Sequence, residues 1–425
     1  MKVLGVTDSD SYTKWGASIL SQMPASWSRS LVVIRTPALP SERQRESALA
    51  GTGFSSQGAP LVDLDDLAAL VAAERPDVVL LSVRGPVVRV LVRMIVAAVQ
   101  HRPLIVSGLP GISIPATLLA LYYRSQVDLF ILHSKREIAE FRELARTWGI
   151  SQEFGLATLP FLAEDRRAAH GGDDIVFAAQ AKVPKVLEER VQLLGWLVAT
   201  ARAHPERRLI LKLRGTTGEA QTHSERYPFD TLLESFEDVP DNLTVSTGPM
   251  SEHLDRAGAL VTVSSTAAIE AIARDVPVLA VDDFGVSAGL INLVFEGSGL
   301  LGSSDRLVAG DFPRPDPEWL AANYFQEPHE NTWVSAIEAG VARRQQHIAE
   351  ATPMPLRAQF RATIGGNIRR IWDRKVALGH YDRTLGGYLA LAVGLPLRGA
   401  VRRYRKVRAR AARAAEARAQ QLVGN

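Results

Sequence analysis

The chain has 425 residues, 46% of them apolar and 22% charged, so it is long enough for two packed domains and far from the composition of a disordered chain. It contains no cysteine, which excludes disulfides, thiol catalysis and cysteine-ligated zinc or iron–sulfur centres. The net charge of +3 is unevenly spread, because eight Lys or Arg from Arg402 to Arg418 face one acid, Glu416; the basicity belongs to a tail and not to a nucleic-acid-binding face.

Met1 and Lys2 lead straight into Val3–Val6, with Asp8 and Asp10 close behind, so the start lacks the apolar stretch of a signal peptide and cytoplasmic residence is expected. Lys2–Val6 reads as a strand, followed by strands at Leu31–Ile34, Val78–Ser82, Leu104–Val106 and Leu129–Leu132. Between them Leu64–Glu74, Val88–Val99 and Glu137–Trp148 fit crossover helices, the pattern of a parallel sheet covered on both faces. The polar stretch Leu162–Asp173, with Gly171-Gly172, reads as a linker. A second series follows: a strand at Asp174–Ala178, a helix at Glu188–Ala203, and strands at Arg208–Leu213, Leu243–Ser246, Ala259–Val263 and Val278–Val281. The expected fold class is α/β: two Rossmann-like parallel-sheet domains facing a cleft, residues 1–165 and 174–350, with a helical segment and basic tail at 351–425.

Ligands of such sheets sit beyond the carboxyl ends of strands, where loops converge and helix starts expose N–H groups. The strand ending at Val263 runs into Ser264, Ser265 and Thr266, whose hydroxyls can cap a helix while its free N–H groups attract phosphate oxygens. Glu270, one turn on, can accept from ligand hydroxyls; simple capping with a solvated Glu270 accounts for the same residues. Lys212 and Arg214 are two apart, hence on one side of an extended chain, and can neutralise a phosphate or pair with surface acids. His223 can protonate a leaving group or bind phosphate.

In the first half, Thr7–Trp15 reads as a loop in which an aspartate, Asp10 before Asp8, can deprotonate an acceptor hydroxyl; both also fit Asx turns or a helix cap. His133 follows a strand and is a candidate acid or base, or a cap. Gly108-Leu109-Pro110-Gly111 lacks the G-x-G-x-x-G order and reads as a turn shaping the cleft edge. Gln180 closes the first strand of the second domain and can face a donor or a hinge. The histidines show no metal-ligand spacing, and there is no Walker loop, G-x-S-x-G elbow or H-E-x-x-H site, so neither a metal nor a cofactor is expected.

Ile175–Gln180, Lys212-Leu213-Arg214 and Val263–Ala271 followed by Val276-Pro277-Val278 together resemble the GT-B glycosyltransferases, in particular bacterial capsule and surface-polysaccharide transferases of the sialyl-, Kdo- and CDP-glycerol-transferase type. The resemblance implies a nucleotide-sugar donor in the second domain, held by Ser264, Ser265, Thr266 and Glu270, and a glycan or lipid-linked acceptor in the first. Many such relatives carry a histidine-proline motif near the basic strand, where this chain has Lys212-Leu213-Arg214. A sugar-nucleotide epimerase or hydrolase, or a noncatalytic sugar- or nucleotide-binding protein, fits the same cleft. Tyr388–Leu397 is apolar but too short to span a bilayer; with the basic tail it fits peripheral contact with the cytoplasmic face of an anionic membrane, or a packed helix followed by a solvated one.

Overall fold

The computed structural model describes residues 1–160, 162, 171–181, 183–213, 225–358, 360 and 366–394, with residues 396, 399, 403, 404 and 408 beyond them. Seven strands form the first sheet: β1 (Lys2–Thr7), β2 (Ser28–Ile34), β3 (Leu61–Val62), β4 (Val78–Ser82), β5 (Leu104–Gly108), β6 (Leu129–Leu132) and β7 (Glu153–Leu156). Their order is β3-β2-β1-β4-β5-β6-β7, and every neighbouring pair is parallel. Both faces of these strands are apolar and buried, as in VVLLS and LFIL, because helices cover both sides of a parallel sheet.

One face carries α3 (Leu64–Glu74), α4 (Gly85–Ala98) and α6 (Lys135–Thr147). Pro86 opens α4 at a position where its missing N–H costs nothing, and Val87, Val88, Leu91, Val92 and Ile95 then give a buried stripe. Each such side chain contributes roughly 1.5–3 kcal/mol on burial, before conformational entropy is counted. The opposite face carries α1 (Asp10–Ser21) and α2 (Glu42–Leu49), together with α13 (Trp333–Ala349), which arrives from far along the chain. Trp333, Ile337 and Val341 join Leu104, Val106, Leu129 and Ile131, and Gly340 admits the Leu104 side chain. Thus α13, grouped by sequence with the second domain, packs on the first. α5 (Leu118–Arg124) completes this half.

The second sheet has the order β10-β9-β8-β11-β12-β13, again all parallel, from β8 (Asp174–Ala178), β9 (Leu209–Lys212), β10 (Leu243–Ser246), β11 (Ala257–Thr262), β12 (Val278–Val281) and β13 (Leu301–Gly302). Its helices are α7 (Leu187–Ala203), α8 (Phe229–Leu233), α9 (Met250–Leu254), α10 (Ala267–Ala273), α11 (Ser304–Ala309) and α12 (Pro317–Ala322). The expected two-domain α/β architecture with a helical C-terminal segment is what the chain adopts; α14 (Gly366–Leu378) and a helix at 385–394 make up that segment. The linker expected at Leu162–Asp173 falls mostly outside the described residues.

The loop after β5 crosses between the domains. Ile114 is buried among second-domain residues such as Val176, Leu260 and Ala268, with Ile112 packed against the same cluster. Arg136 of α6 reaches over to donate to the carbonyls of Leu293 and Val294, at 3.1 and 3.2 Å.

Candidate active site at the facing sheet edges

In each sheet the strand order reverses once, between β1 and β4 in the first and between β8 and β11 in the second. Loops leaving adjacent strands diverge there and open a crevice beyond the carboxyl ends, the usual ligand position in open parallel sheets.

In the second domain that crevice is bordered by Gln180 after β8 and Ser264 after β11, and the Gln180 amide donates to the Ser264 carbonyl at 2.7 Å. The Gln180 side-chain carbonyl is buried with no hydrogen-bond partner among the described residues. The Ser264 and Ser265 N–H groups donate to the Thr262 hydroxyl at 3.3 and 3.0 Å, and the Ser264 hydroxyl donates to the Ile291 carbonyl at 2.5 Å. Ser265 turns its hydroxyl to the Ala267 N–H at 3.2 Å. Of the three hydroxyls expected to hold phosphate, those of Ser264 and Ser265 are buried and tied into the turn, while Thr266, at the start of α10, is half-buried. Glu270 lies one turn along α10 and is likewise half-buried.

Lys212 ends β9, with its amine donating to the Leu213 carbonyl at 2.5 Å; it is buried and not an open surface clamp. Beside it His253 shares a 3.1 Å hydrogen bond with Ser246, and its pKa is lowered first by burial and then by the Lys212 charge. Arg214 and His223 lie outside the described residues. Of the turn after β12, Asp283 caps α11 through Ser304, and Asn292 bonds Gly285 and Ser287 to close the loop.

In the first domain the crevice is filled by an ion pair. Asp8 is fully buried; its carboxylate accepts the Arg84 Nε–H at 2.7 Å and the Arg84 backbone N–H at 3.1 Å, and Arg84 also donates to the Thr36 hydroxyl at 2.9 Å. Burial raises the Asp8 pKa, and the guanidinium opposes the rise. The long loop expected at Thr7–Trp15 is only Asp8 and Ser9, because Ser9 caps α1 and Asp10 is its first residue, where the helix dipole favours a carboxylate. Asp8 thus serves structure, and Asp10, half-buried, stands at the mouth of the crevice.

His133 does not reach the cleft. It is fully buried: its Nε2 accepts the Trp15 indole N–H at 2.7 Å, so Nδ1 carries the hydrogen and donates to the Ala157 carbonyl at 2.9 Å. The Leu109 carbonyl, 3.1 Å from Nε2, faces an acceptor in this tautomer. Burial lowers the His133 pKa to about 4, so the ring is neutral at pH 7. The ring expected as an acid or base thus bridges Trp15 and Ala157 in this structure.

Three buried charged groups escaped the sequence reading. Arg124 donates to the Ser107 hydroxyl and to the carbonyls of Gly108 and Val83, and holds the Tyr12 hydroxyl at 3.0 Å, joining the ends of β4 and β5 to α1. Arg190 does the same in the second domain through the carbonyls of Gln180, Ala181, Pro184 and Tyr227, with Glu225 as its counter-ion. Glu137 accepts from the N–H groups of Ser113 and His133 and from the Tyr324 hydroxyl at 2.7, 2.8 and 2.8 Å; burial raises its pKa to about 7. The only forewarning was that Arg124 and Arg190 are lone charges on helix faces otherwise apolar.

The two domains approach each other at Gly111, in the loop after β5, whose backbone, at φ +88°, passes so near α10 that an added Cβ would touch the Thr266 methyl at 3.4 Å. Two all-parallel sheets meeting at their switch-point loops define a GT-B-like fold. Residues 3–340 match the family described as "Putative glycosyltransferase (DUF6716)", and the chain belongs to that family. Solved structures with a similar fold include Staphylococcus aureus MnaA with UDP, at 12% identity and a TM-score of 0.51, over 84% of this chain and 99% of that one. A "putative UDP-N-acetylglucosamine 2-epimerase" from Listeria monocytogenes has 13% identity and a TM-score of 0.53, over 84% and 99%. The Methanocaldococcus jannaschii UDP-GlcNAc 2-epimerase has 10% identity and a TM-score of 0.51, over 81% and 100%. A search of curated proteins finds no match to the chain.

Proposed function

We propose that this protein is an enzyme acting on a nucleotide sugar, with the nucleotide at the β8/β11 crevice and the sugar directed toward Asp10. The observation that carries this reading is the crevice itself, bordered at the switch point by Gln180 and Ser264, with Thr266 half-buried at the start of α10. Such an edge suits a diphosphate and its ribose, with Glu270 as acceptor for sugar or ribose hydroxyls. Lys212, one strand away, adds positive potential, and Arg214 and His223 remain proposed partners at the same strand end.

The fold likeness to UDP-N-acetylglucosamine 2-epimerases, over nearly the full length of those chains, supports conversion of the nucleotide sugar without a second substrate. Asp10 then removes a proton from the sugar or activates water. Transfer to a glycan or lipid-linked acceptor is the second reading, favoured by the family description. There Asp10 takes the proton of the acceptor hydroxyl, and the positive potential of Lys212, set back from the crevice, favours the leaving phosphate.

The test is incubation with UDP- and CDP-activated sugars, with and without cell-envelope acceptor, followed by mass and NMR detection. An isomerised sugar or free nucleotide without acceptor supports conversion; glycan growth requiring acceptor supports transfer; no binding and no turnover overturns both. Asp10→Asn is expected to keep nucleotide affinity and lose turnover roughly 10²- to 10⁴-fold. Unchanged turnover removes Asp10 from the chemistry. Lys212→Ala is expected to weaken nucleotide binding roughly 10- to 100-fold by calorimetry, and equal affinity removes it from the site.

A further inference from the structure

The helix at 385–394 turns its sides opposite to those of a packed helix. Outward it presents Leu385, Tyr388, Leu389 and Val393, exposed by 84, 52, 70 and 64%, with Ala392 between them. These positions recur at helical spacing and form one continuous apolar stripe. Inward it presents glycines: an added Cβ at Gly394 would strike the Trp372 ring, and one at Gly387 would strike Asp382 and Thr384. The small face lies against α14, while Leu385, Leu389 and Val393 stay largely exposed among the described residues.

The hairpin is cationic: residues 366–394 hold five Lys or Arg against two Asp or Glu. Both acids are already engaged, Asp373 with Arg89 and Arg369, and Asp382 with Arg374. Lys375 is buried and holds its ammonium 3.6 Å from the Tyr388 ring centroid, fixing that ring at the edge of the stripe. α14 adds Ile368 and Val376 to the exposed apolar surface. The family match ends at residue 340, so this hairpin lies beyond it. Among the described residues no helix is long and apolar enough to cross a membrane.

We propose that the 366–394 hairpin docks on an anionic lipid surface, with Leu385, Tyr388, Leu389 and Val393 inserted at the acyl boundary and the arginines on headgroup phosphates. An apolar stripe flanked by arginines is the chemistry of an interfacial helix, and Tyr388 suits the polar–apolar boundary. A second copy of the chain is a poorer occupant, since two such cationic segments repel. α14 packs on α4, so docking sets the first domain on the membrane.

The experiment is co-sedimentation of the full chain with phosphatidylcholine vesicles, with and without phosphatidylglycerol. Wild type is expected to pellet with the anionic vesicles and to be partly released by salt. The triple variant Leu385→Gln, Leu389→Gln, Val393→Gln alters only exposed side chains, so its thermal melt is expected to match wild type. Its vesicle affinity is expected to fall roughly 10- to 100-fold. The proposal is overturned by absence of binding, by equal binding of the triple variant, or by a solution dimer that the triple variant dissolves. Because the readout is partition, it stands or falls separately from any activity on nucleotide sugars.

Discussion

At the residue scale, environment and not identity assigns the roles. His133 and Asp10 both follow strands at the same sheet edge, yet one is sealed between Trp15 and Ala157 while the other opens a helix at the crevice. His133→Phe leaves the Trp15 N–H and the Ala157 carbonyl unpaired, so unfolding free energy is expected to fall by roughly 2–5 kcal/mol in denaturant titrations. Nucleotide binding by the folded fraction is expected to persist; full stability with lost turnover would return His133 to the chemistry. Gly108 shows the same dependence on context. Its sequence suggested a permissive turn, but the requirement is the absence of a Cβ, which would lie 2.3 Å from the Trp15 ring. Gly108→Ala is accordingly expected to cost about 1–3 kcal/mol through overpacking, read from the same titrations.

At the scale of elements, strands such as Val78–Ser82 and Leu129–Leu132 were legible to the residue, because a strand buried on both faces writes an unbroken β-branched and aliphatic run. β3 and β13 were not, since two residues paired at an edge leave no pattern, and β7 was hidden by Glu153 and Gly155, which break its apolar run. The candidate site was legible only as a place. Strand ends locate loops, but whether Ser264 faces a ligand or Ile291 depends on a loop 27 residues away. The buried arginines were invisible for a related reason: the partners of Arg124 and Arg190 are mainly carbonyls, and every residue has one. Arg190→Met strands Glu225 and frees the Gln180–Pro184 loop. A loss of roughly 3–5 kcal/mol in stability is expected, with nucleotide affinity lost more steeply than in Lys212→Ala; normal affinity in a folded variant would show that the loop needs no anchor.

Across the whole molecule, Glu137, Tyr324, Gln326 and Arg136 tie the second half of the chain to α6 and the loops beside it. Glu137 and His133 also set opposing pH responses. The raised Glu137 pKa favours folding at low pH and loses that contribution between about 4.5 and 7 as pH rises; the lowered His133 pKa gives stability that is lost from 6.5 down to about 4 as pH falls. Wild-type stability is therefore expected to be nearly flat where the windows overlap. In Glu137→Gln the opposing Glu137 response is gone while the lowered His133 and His253 pKa values remain, and thermal melts are expected to drop progressively as pH falls below 6.5. A variant as flat as wild type would contradict the assignment. The return of α13 to the first sheet carries a different consequence, for biosynthesis. Strands β5 and β6 emerge from the ribosome roughly two hundred residues before Trp333, Ile337 and Val341, which cover them. Until then one face of the nascent sheet stays open to solvent or to a chaperone, so the N-terminal half cannot finish folding ahead of the rest, and a chain interrupted between the domains leaves that half incomplete.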